Sequence, residues 1–181
     1  MNKIYLLLAE GFEEIEALAP VDLLRRAGAE VETVSITEEK MVMGAHGIPV
    51  CADSTIDGID EEELSMLILP GGYPGYVNLD QSEAVRELLF RTAQAGKTIA
   101  AICGAPSVLN GLGLLQDKVA TCYPSMEEDM DCEISHKKVV ECENFITSRG
   151  AGTAIDFALA LVEAAVSAEK AEELRKGIVY E

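Results

Sequence analysis

Short runs of strand length, most of them apolar and one alternating, recur along this sequence, and most are followed by a turn and then by apolar residues at helical spacing. The strand-length runs span residues 3–9, 31–36, 64–69, 98–102 and 144–147. The helical stretches span residues 13–27, 82–95 and 106–112, and a longer one begins at residue 153. Strands that alternate with helices in one chain favour a parallel sheet covered by helices. We therefore expect an open α/β sandwich with a mostly parallel central sheet.

Three other segments carry weaker patterns. Residues 41–43 and 48–51 alternate around two glycines, which predicts a hairpin at an edge of the sheet. A second hairpin is predicted near His136, between its lysine neighbours. The acidic stretch from Ala168 to Lys176 is typical of a helix with a solvated outer face.

Length and charge restrict the classes of protein to which the chain can belong. Its 181 residues predict one domain, residues 1–181, and 49% hydrophobic residues exclude global disorder. Because 14 basic residues face 32 acidic ones, the net charge of −18 argues against binding to nucleic acid or to an anionic membrane. No signal peptide or membrane span is evident, so we expect a soluble, cytoplasmic protein. Five cysteines without CxxC spacing do not indicate a disulfide framework.

The sharpest chemical signal follows the run at residues 98–102. There Cys103 enters a turn of two small residues, Gly104 and Ala105, and Pro106 suits the first turn of a helix. This pattern predicts a nucleophile elbow, with a strained backbone at the cysteine and helix amides that lower the pKa of its thiol. The alternative is a small buried cysteine that closes a strand.

Two other strand ends carry polar or glycine-rich loops, and strand ends are where open α/β sheets bind ligands. Gly71 and Gly72 follow a buried strand, and this pairing allows a backbone N–H to approach a reacting oxygen, although an ordinary tight turn has the same pattern. Glu13 and Glu16 begin the first helix and share one face. The helix dipole alone accounts for such carboxylates, but one buried beside a thiolate would stay protonated and donate to sulfur.

Taken together, these segments resemble the ThiJ/PfpI superfamily, in particular the subgroup of the Parkinson's-disease-associated deglycase and its bacterial relatives. The resemblance covers nearly the whole chain. Five blocks in fixed order are far more specific than any one of them. The blocks span residues 11–16, 20–28, 69–72, 100–106 and 147–153.

The resemblance implies a flavodoxin-like three-layer sandwich that forms a homodimer. It implies a reactive cysteine at Cys103 and a protonated glutamate at Glu16 that interacts with it. The backbone amides of Gly72 and Gly104 would form the oxyanion pocket. No metal or organic cofactor is implied.

The same match implies a substrate or anion pocket around these groups. Arg26 and His46 would lie near an anion site on the dimer side, and Glu13 and Gly71 would border the nucleophile. Tyr123 marks a departure, because relatives in this subgroup often have histidine in the matching segment. A Cys-His dyad is therefore not expected.

The remaining histidine and cysteines give no second catalytic or metal pattern. His136 is expected to be solvated, and the spacing of Cys132, His136 and Cys142 matches no compact zinc site. The peptidase branch has histidine directly after the cysteine, where this chain has Gly104.

Two function classes remain. In the first, Cys103 attacks the carbonyl of a small reactive aldehyde or a glycated adduct, and Glu16 shuttles the proton in a glyoxalase- or deglycase-type reaction. In the second, the chain is a redox-responsive stress protein or chaperone in which Cys103 is oxidised without physiological turnover.

Overall fold

A seven-stranded sheet forms the centre of the computed structural model, which describes residues 2–181. The strands of the whole structure are β1 (Lys3–Leu8), β2 (Glu30–Ser35), β3 (Met41–Met43), β4 (Pro49–Cys51), β5 (Ser54–Thr55), β6 (Leu64–Leu69), β7 (Thr98–Ile102), β8 (Val119–Ala120), β9 (Glu133–Ile134), β10 (Val139–Cys142) and β11 (Phe145–Ser148). The strand order in the central sheet is β10-β11-β7-β6-β1-β2-β5, and every pairing in it is parallel except β10 with β11.

Six α-helices connect or follow these strands. They are α1 (Glu14–Arg26), α2 (Gly75–Gln81), α3 (Glu83–Gln94), α4 (Pro106–Gly111), α5 (Ala154–Ala165) and α6 (Ala168–Gly177), and short 3-10 helices span Ile56–Gly58, Pro124–Asp129 and Ala151–Thr153. Ser82 caps α3 through its side chain, and Gly28, with a φ of 83°, ends the α1 turn as its sequence position predicts. Within residues 2–181, none of these helices is long and apolar enough to cross a membrane.

The sheet separates two hydrophobic cores, as the strictly alternating directions of strand side chains require. In β1, Leu6 contributes to the core under α1, α5 and α6, whereas Leu7 contributes to the core under α2, α3 and α4. Helices therefore cover both faces of a mostly parallel sheet, and the expected three-layer α/β sandwich is confirmed.

The first expected hairpin is confirmed, but it forms a separate two-stranded ribbon (β3-β4), and β5 is the edge strand beyond β2. The second expected hairpin was wrong: the chain turns between β10 and β11, after Cys142, so that His136 lies in the loop between β9 and β10. The acidic helix is confirmed as α6, whose outer face is exposed and whose Ala171 and Leu174 are buried against the core that includes α5. Where the expectations failed, the patterns were short, and tertiary packing decided the placement.

Candidate active site

Cys103 lies between the end of β7 and the start of α4, in the strand-turn-helix arrangement that the sequence predicts. Its backbone has a φ of 64°, a region that few residues other than glycine adopt. Two hydrogen bonds from the adjacent segment maintain this conformation. The N–H of Cys103 donates to the carbonyl of Ser148 at 3.0 Å, and its carbonyl accepts from the N–H of Tyr123 at 2.8 Å. Neighbouring chain segments thus hold the cysteine in a strained conformation, which is frequent at functional sites.

Glu16 reaches the cysteine from the first turn of α1. Glu13 is the N-cap of this helix, and its carboxylate accepts from the N–H of Glu16 at 2.8 Å. The side chain of Glu16 is 1% exposed, accepts from the N–H of Gly71 at 2.9 Å and is hydrogen-bonded to Cys103. A Cβ atom on Gly71 would lie 2.7 Å from both the Cys103 Cβ and the Glu16 Oε2, so only glycine fits between the pair.

Burial raises the pKa of both groups. Burial raises the pKa of Glu16 to about 7, against the hydrogen bonds from Cys103, Gly71 and Ala151. Burial and the adjacent Glu16 carboxyl raise the pKa of Cys103 to about 12. The expected low thiol pKa is therefore wrong for a cysteine beside an ionised Glu16, and burial is the reason. Because the groups are in contact, they titrate together and hold one proton between them above pH 7.

Backbone amides approach the sulfur from two loops. The N–H groups of Gly72 and Gly104 are hydrogen-bonded to Cys103 and act to lower its pKa. Gly72 has a φ of 91°, and a Cβ there would lie 2.3 Å from the nitrogen of Glu13. Two amides that converge beside a nucleophile can stabilise a negative charge that develops on a reacting oxygen.

Tyrosine rings border the nucleophile where a histidine would complete a dyad. A Cβ on Gly150 would lie 4.0 Å from the Cys103 Sγ and 3.6 Å from the ring of Tyr123. A Cβ on Gly104, the next residue along the chain, would lie 2.6 Å from the ring of Tyr76. Tyr76 belongs to α2, a helix that the sequence analysis did not identify.

Neither histidine of the chain lies against the sulfur. His136 is exposed, with its Nδ1 3.4 Å from Glu127, which also pairs with Arg149 at 3.0 Å. His46 is paired with Glu14 through its ring at 2.7 Å, and its backbone N–H donates to the same carboxylate at 2.7 Å.

Arg26 and His46 do not come together within one chain. His46 contacts the first turn of α1, whereas Arg26 lies in its last turn and pairs with Asp22 at 2.7 Å. A helix of 13 residues separates its ends by roughly 20 Å, so Arg26 is remote from Cys103 in the same chain.

One group of side chains has the composition of a metal site. Donor atoms of Glu13, Glu14 and His46 lie within 4.8 Å of one another. Both oxygens of Glu14 already accept hydrogen bonds from His46, and one oxygen of Glu13 caps α1. These hydrogen bonds explain why the three side chains lie together: they link α1 to the β3-β4 ribbon.

The other four cysteines have different settings, and no disulfide is formed among the described residues. Cys122 is buried, and burial raises the pKa of its thiol to about 11. Cys132 and Cys142 are half-buried, and Cys51 is exposed on the β3-β4 ribbon. Their chemistry is therefore distinct from that of Cys103, which has a carboxyl partner.

The segment from Ser148 to Ala151 is the part of the site to which sequence reasoning gave no role. The Ser148 carbonyl accepts from Cys103, the Ala151 backbone hydrogen-bonds Glu16, and Gly150 lies between Tyr123 and the sulfur. The available signal was its position at the end of β11, adjacent to β7 in the sheet.

Comparison with known proteins agrees with this fold. The chain is 36% identical to the Arabidopsis thaliana protein DJ-1 homolog B over 98% of its length but spans only 41% of that relative. It is 36% identical to Drosophila melanogaster protein dj-1beta over 96% of the chain and 94% of the relative. It is 34% identical to the glutathione-independent glyoxalase DJR-1.2 of Caenorhabditis elegans over 97% of the chain and 94% of the relative.

The structural comparison covers the whole chain. A mutant of the DJ-1 superfamily protein STM1931 from Salmonella typhimurium superposes with a TM-score of 0.96, at 35% identity and 100% coverage of both chains. Residues 2–164 match the family described as DJ-1/PfpI. On these grounds the chain belongs to the DJ-1/PfpI family.

Proposed function

We propose that this protein is a cysteine-dependent enzyme that converts small reactive 2-oxoaldehydes to 2-hydroxy acids, and that it uses no cofactor. The observation that carries the proposal is the buried Glu16-Cys103 pair with the amides of Gly72 and Gly104 beside the sulfur. A relative over nearly the whole chain bears the name of a glutathione-independent glyoxalase. Early glycated adducts, which present the same carbonyl chemistry, are a second substrate class.

The reaction begins with the proton that the pair shares. When Glu16 holds this proton, the sulfur of Cys103 is a thiolate and attacks the aldehyde carbon. A C–S bond forms, and the C=O π electrons move to the oxygen. The amides of Gly72 and Gly104 stabilise this oxyanion until Glu16 protonates it, which gives a hemithioacetal and an ionised Glu16.

Glu16 is then in the correct state to act as a base. It removes the proton from the former aldehyde carbon and returns it to the neighbouring carbon through an enediol, which leaves a thioester of the 2-hydroxy acid. Water cleaves the C–S bond, and the thiolate leaves. The net change adds one water to the 2-oxoaldehyde and releases the 2-hydroxy carboxylate and one proton.

Turnover of methylglyoxal to lactate tests this proposal. We expect Cys103→Ser to lose activity and Glu16→Gln to lose on the order of 10²-fold in kcat, because glutamine donates a hydrogen bond but exchanges no proton. Glu10→Gln, an exposed carboxyl in the same loop, is the matched control and should retain activity. Equal turnover by wild type and Cys103→Ser would contradict the proposal.

Glu13 needs a separate test because it lies beside Glu16 and caps the same helix. Its carboxylate already accepts from the N–H of Glu16. We therefore expect Glu13→Gln to keep measurable turnover in folded protein. If this variant abolishes turnover and Glu16→Gln does not, the proton-handling role belongs to Glu13.

A redox role of Cys103 is the second candidate, and the same geometry favours it. Oxidation to sulfinate places oxygens where Gly72, Gly104 and a protonated Glu16 can donate hydrogen bonds. Intact mass after mild peroxide treatment tests it. Selective addition of two oxygens at Cys103, together with no aldehyde turnover, would favour the stress-protein function over the enzyme.

The proposal extends to assembly and compartment. We infer a homodimer formed through exposed apolar side chains on α1 and the β3-β4 ribbon, which are Ile15, Leu18, Met41, Met43 and Ile48. Five free thiols fit a reducing compartment such as the cytoplasm.

A further inference from the structure

We propose that the site prefers 2-oxoaldehydes with a flat aromatic or similarly broad apolar substituent over methylglyoxal, and that Tyr123 determines this preference. The inference rests on the proposed function and specifies its substrate class. It follows from tyrosine rings that flank the nucleophile and from the charge of the surrounding side chains.

Tyr123 forms one wall of the approach to the sulfur. Its N–H donates to the carbonyl of Cys103, so the backbone of Tyr123 is held against the nucleophile. Its ring lies 3.6 Å from the position of a Cβ on Gly150, which is itself 4.0 Å from the Cys103 Sγ. The side chain is nevertheless 48% exposed. Part of the ring surface is therefore not covered by the rest of the chain.

A pair of tyrosines lies next to the two amides. The ring of Tyr76 covers Gly104, the residue next to the nucleophile. Tyr73 contacts Tyr76 with ring centroids 6.3 Å apart and is 75% exposed. Tyr73 also follows Gly72, whose amide is hydrogen-bonded to the sulfur. A carbonyl bound at these amides thus lies close to residues that carry aromatic rings.

The charges nearby disfavour an anionic substrate. Arg149, the residue before Gly150, is paired with Glu127 at 3.0 Å. Glu13 and Glu16 are carboxyls, and the whole chain carries a net charge of −18. A neutral aldehyde escapes this repulsion, whereas a phosphorylated or carboxylated one does not. An aromatic substituent gains offset or edge contacts with the tyrosine rings, which a methyl group is too small to make.

The test compares phenylglyoxal with methylglyoxal through the ratio of their kcat/KM values. Initial rates of mandelate and lactate formation are measured by chromatography, with Cys103→Ser as the background. We expect wild type to favour phenylglyoxal on the order of tenfold, and Tyr123→Ala to lose most of this preference. Tyr123→Phe should keep the preference, because the ring and not the hydroxyl makes the contact.

Phe90 provides a matched control. It is also 48% exposed, but it lies on α3, away from the strand ends. Phe90→Ala should leave the ratio unchanged within about twofold, so a general effect of removing an exposed ring would be detected. Tyr123→His should lower the preference, because imidazole offers a smaller and more polar face.

A second measurement does not depend on turnover. Mandelamide and lactamide, the neutral amides of the two products, are compared as protectants of Cys103 against alkylation, read by peptide mass. We expect mandelamide to protect at an approximately tenfold lower concentration in wild type and to lose this advantage in Tyr123→Ala.

The two proposals fail in different ways. The substrate class is overturned if wild type turns over methylglyoxal normally and its kcat/KM ratio of phenylglyoxal to methylglyoxal is one or lower. It is also overturned if Tyr123→Ala leaves this ratio unchanged. Either result leaves the proposed function standing. Absence of turnover with both aldehydes overturns the proposed function. Equal protection by mandelamide and lactamide overturns the aromatic preference in either case.

Discussion

At the scale of single residues, Glu16 controls when the sulfur of Cys103 can react. The two side chains are buried together, and the pKa of Glu16 rises to about 7 because water is excluded from it. Below this pH both groups are protonated, and above it the pair carries one negative charge. The reactive form, in which the proton is on Glu16, therefore becomes available near neutral pH although burial raises the pKa of the thiol.

Alkylation of Cys103 should accordingly follow the titration of the pair. We expect its iodoacetamide labelling rate in wild type to rise with a midpoint near pH 7 and then to level off. In Glu16→Gln the transition should move to higher pH, because the buried thiol then titrates alone. Peptide mapping across pH 5–10 measures both profiles. Identical midpoints in the two proteins would show that the carboxyl does not govern the sulfur.

Glu16 should also make stability depend on pH. Its pKa is 4.5 in an exposed setting and about 7 in the fold, so folding favours the protonated form. The stabilisation is fully present below pH 4.5 and is lost as pH rises through 7, a loss on the order of 3 kcal/mol. Relative to wild type, Glu16→Gln should therefore gain about 2 kcal/mol in free energy of unfolding between pH 5 and pH 8.

Denaturant titrations of the two proteins at both pH values measure this gain. The difference between the proteins cancels the titration of carboxyls that they share. Glu10→Gln, from the exposed part of the same loop, should show no comparable change. A constant difference between wild type and Glu16→Gln at both pH values would contradict the buried-carboxyl account.

At the scale of elements, a clasp joins α1 to the β3-β4 ribbon. The buried Glu14 carboxylate accepts from the ring and the backbone of His46. The N–H of Gly11 donates to Met43, and the N–H of Ala45 donates to Phe12. These contacts explain why the ribbon lies beside the start of α1 and not at the edge of the main sheet.

Removal of the histidine should loosen the ribbon. The Glu14 carboxylate raises the pKa of His46, and His46 lowers that of Glu14 despite burial. The ionic part of the clasp is present below the ordinary His pKa of 6.5 and is lost as pH rises through the raised value. We expect His46→Ala to speed amide exchange in residues 41–51, most clearly at pH 6, while exchange in β6 and β7 stays unchanged. Equal exchange in both proteins at pH 6 would contradict the clasp.

At the scale of the whole molecule, exposed apolar side chains on α1 and the ribbon bear on assembly. Ile15 and Leu18 are exposed on α1, and Met41, Met43 and Ile48 are exposed on the ribbon that the clasp holds beside it. The chain also carries a strong negative charge, which opposes nonspecific association. The homodimer that we propose would cover these apolar side chains.

A charge placed on this surface should prevent assembly. Wild type should sediment as a dimer of the 19.4 kDa chain at micromolar concentration, and Leu18→Glu or Met41→Glu should shift it to monomer. Phe90→Glu, which adds the same charge at an exposed apolar position outside this surface, should remain dimeric. Analytical ultracentrifugation distinguishes the species. A stable wild-type monomer would contradict the interface.

A second copy of the chain would be needed to complete the anion site that family resemblance implies. Arg26 is remote from Cys103 in its own chain, at the far end of α1. Its participation in that site would therefore require the partner copy. A dimer would thus supply a group that the monomer fold places elsewhere.

Local sequence determined the parts of this protein that depend on the spacing of apolar residues and on the residues that follow each strand. The alternation of strand and helix specified the sandwich, because each apolar run had to be buried on both faces of a sheet. The sequence Cys103-Gly104-Ala105-Pro106 specified the elbow, since the two small residues leave room beside the strained cysteine and Pro106 suits the first turn of α4. The glycines Gly71 and Gly72 were identified in the same way.

Tertiary structure decided which of these loops meet and how their groups ionise. Three carboxyls at the start of α1 look alike in sequence, but only Glu16 points under Gly71 to the sulfur, while Glu13 caps the helix and Glu14 holds His46. The expected low pKa of Cys103 failed for the same reason. Helix amides act locally and are visible in the sequence, whereas burial and a neighbouring carboxyl come from segments distant in the chain, and they exist only once those segments are packed together.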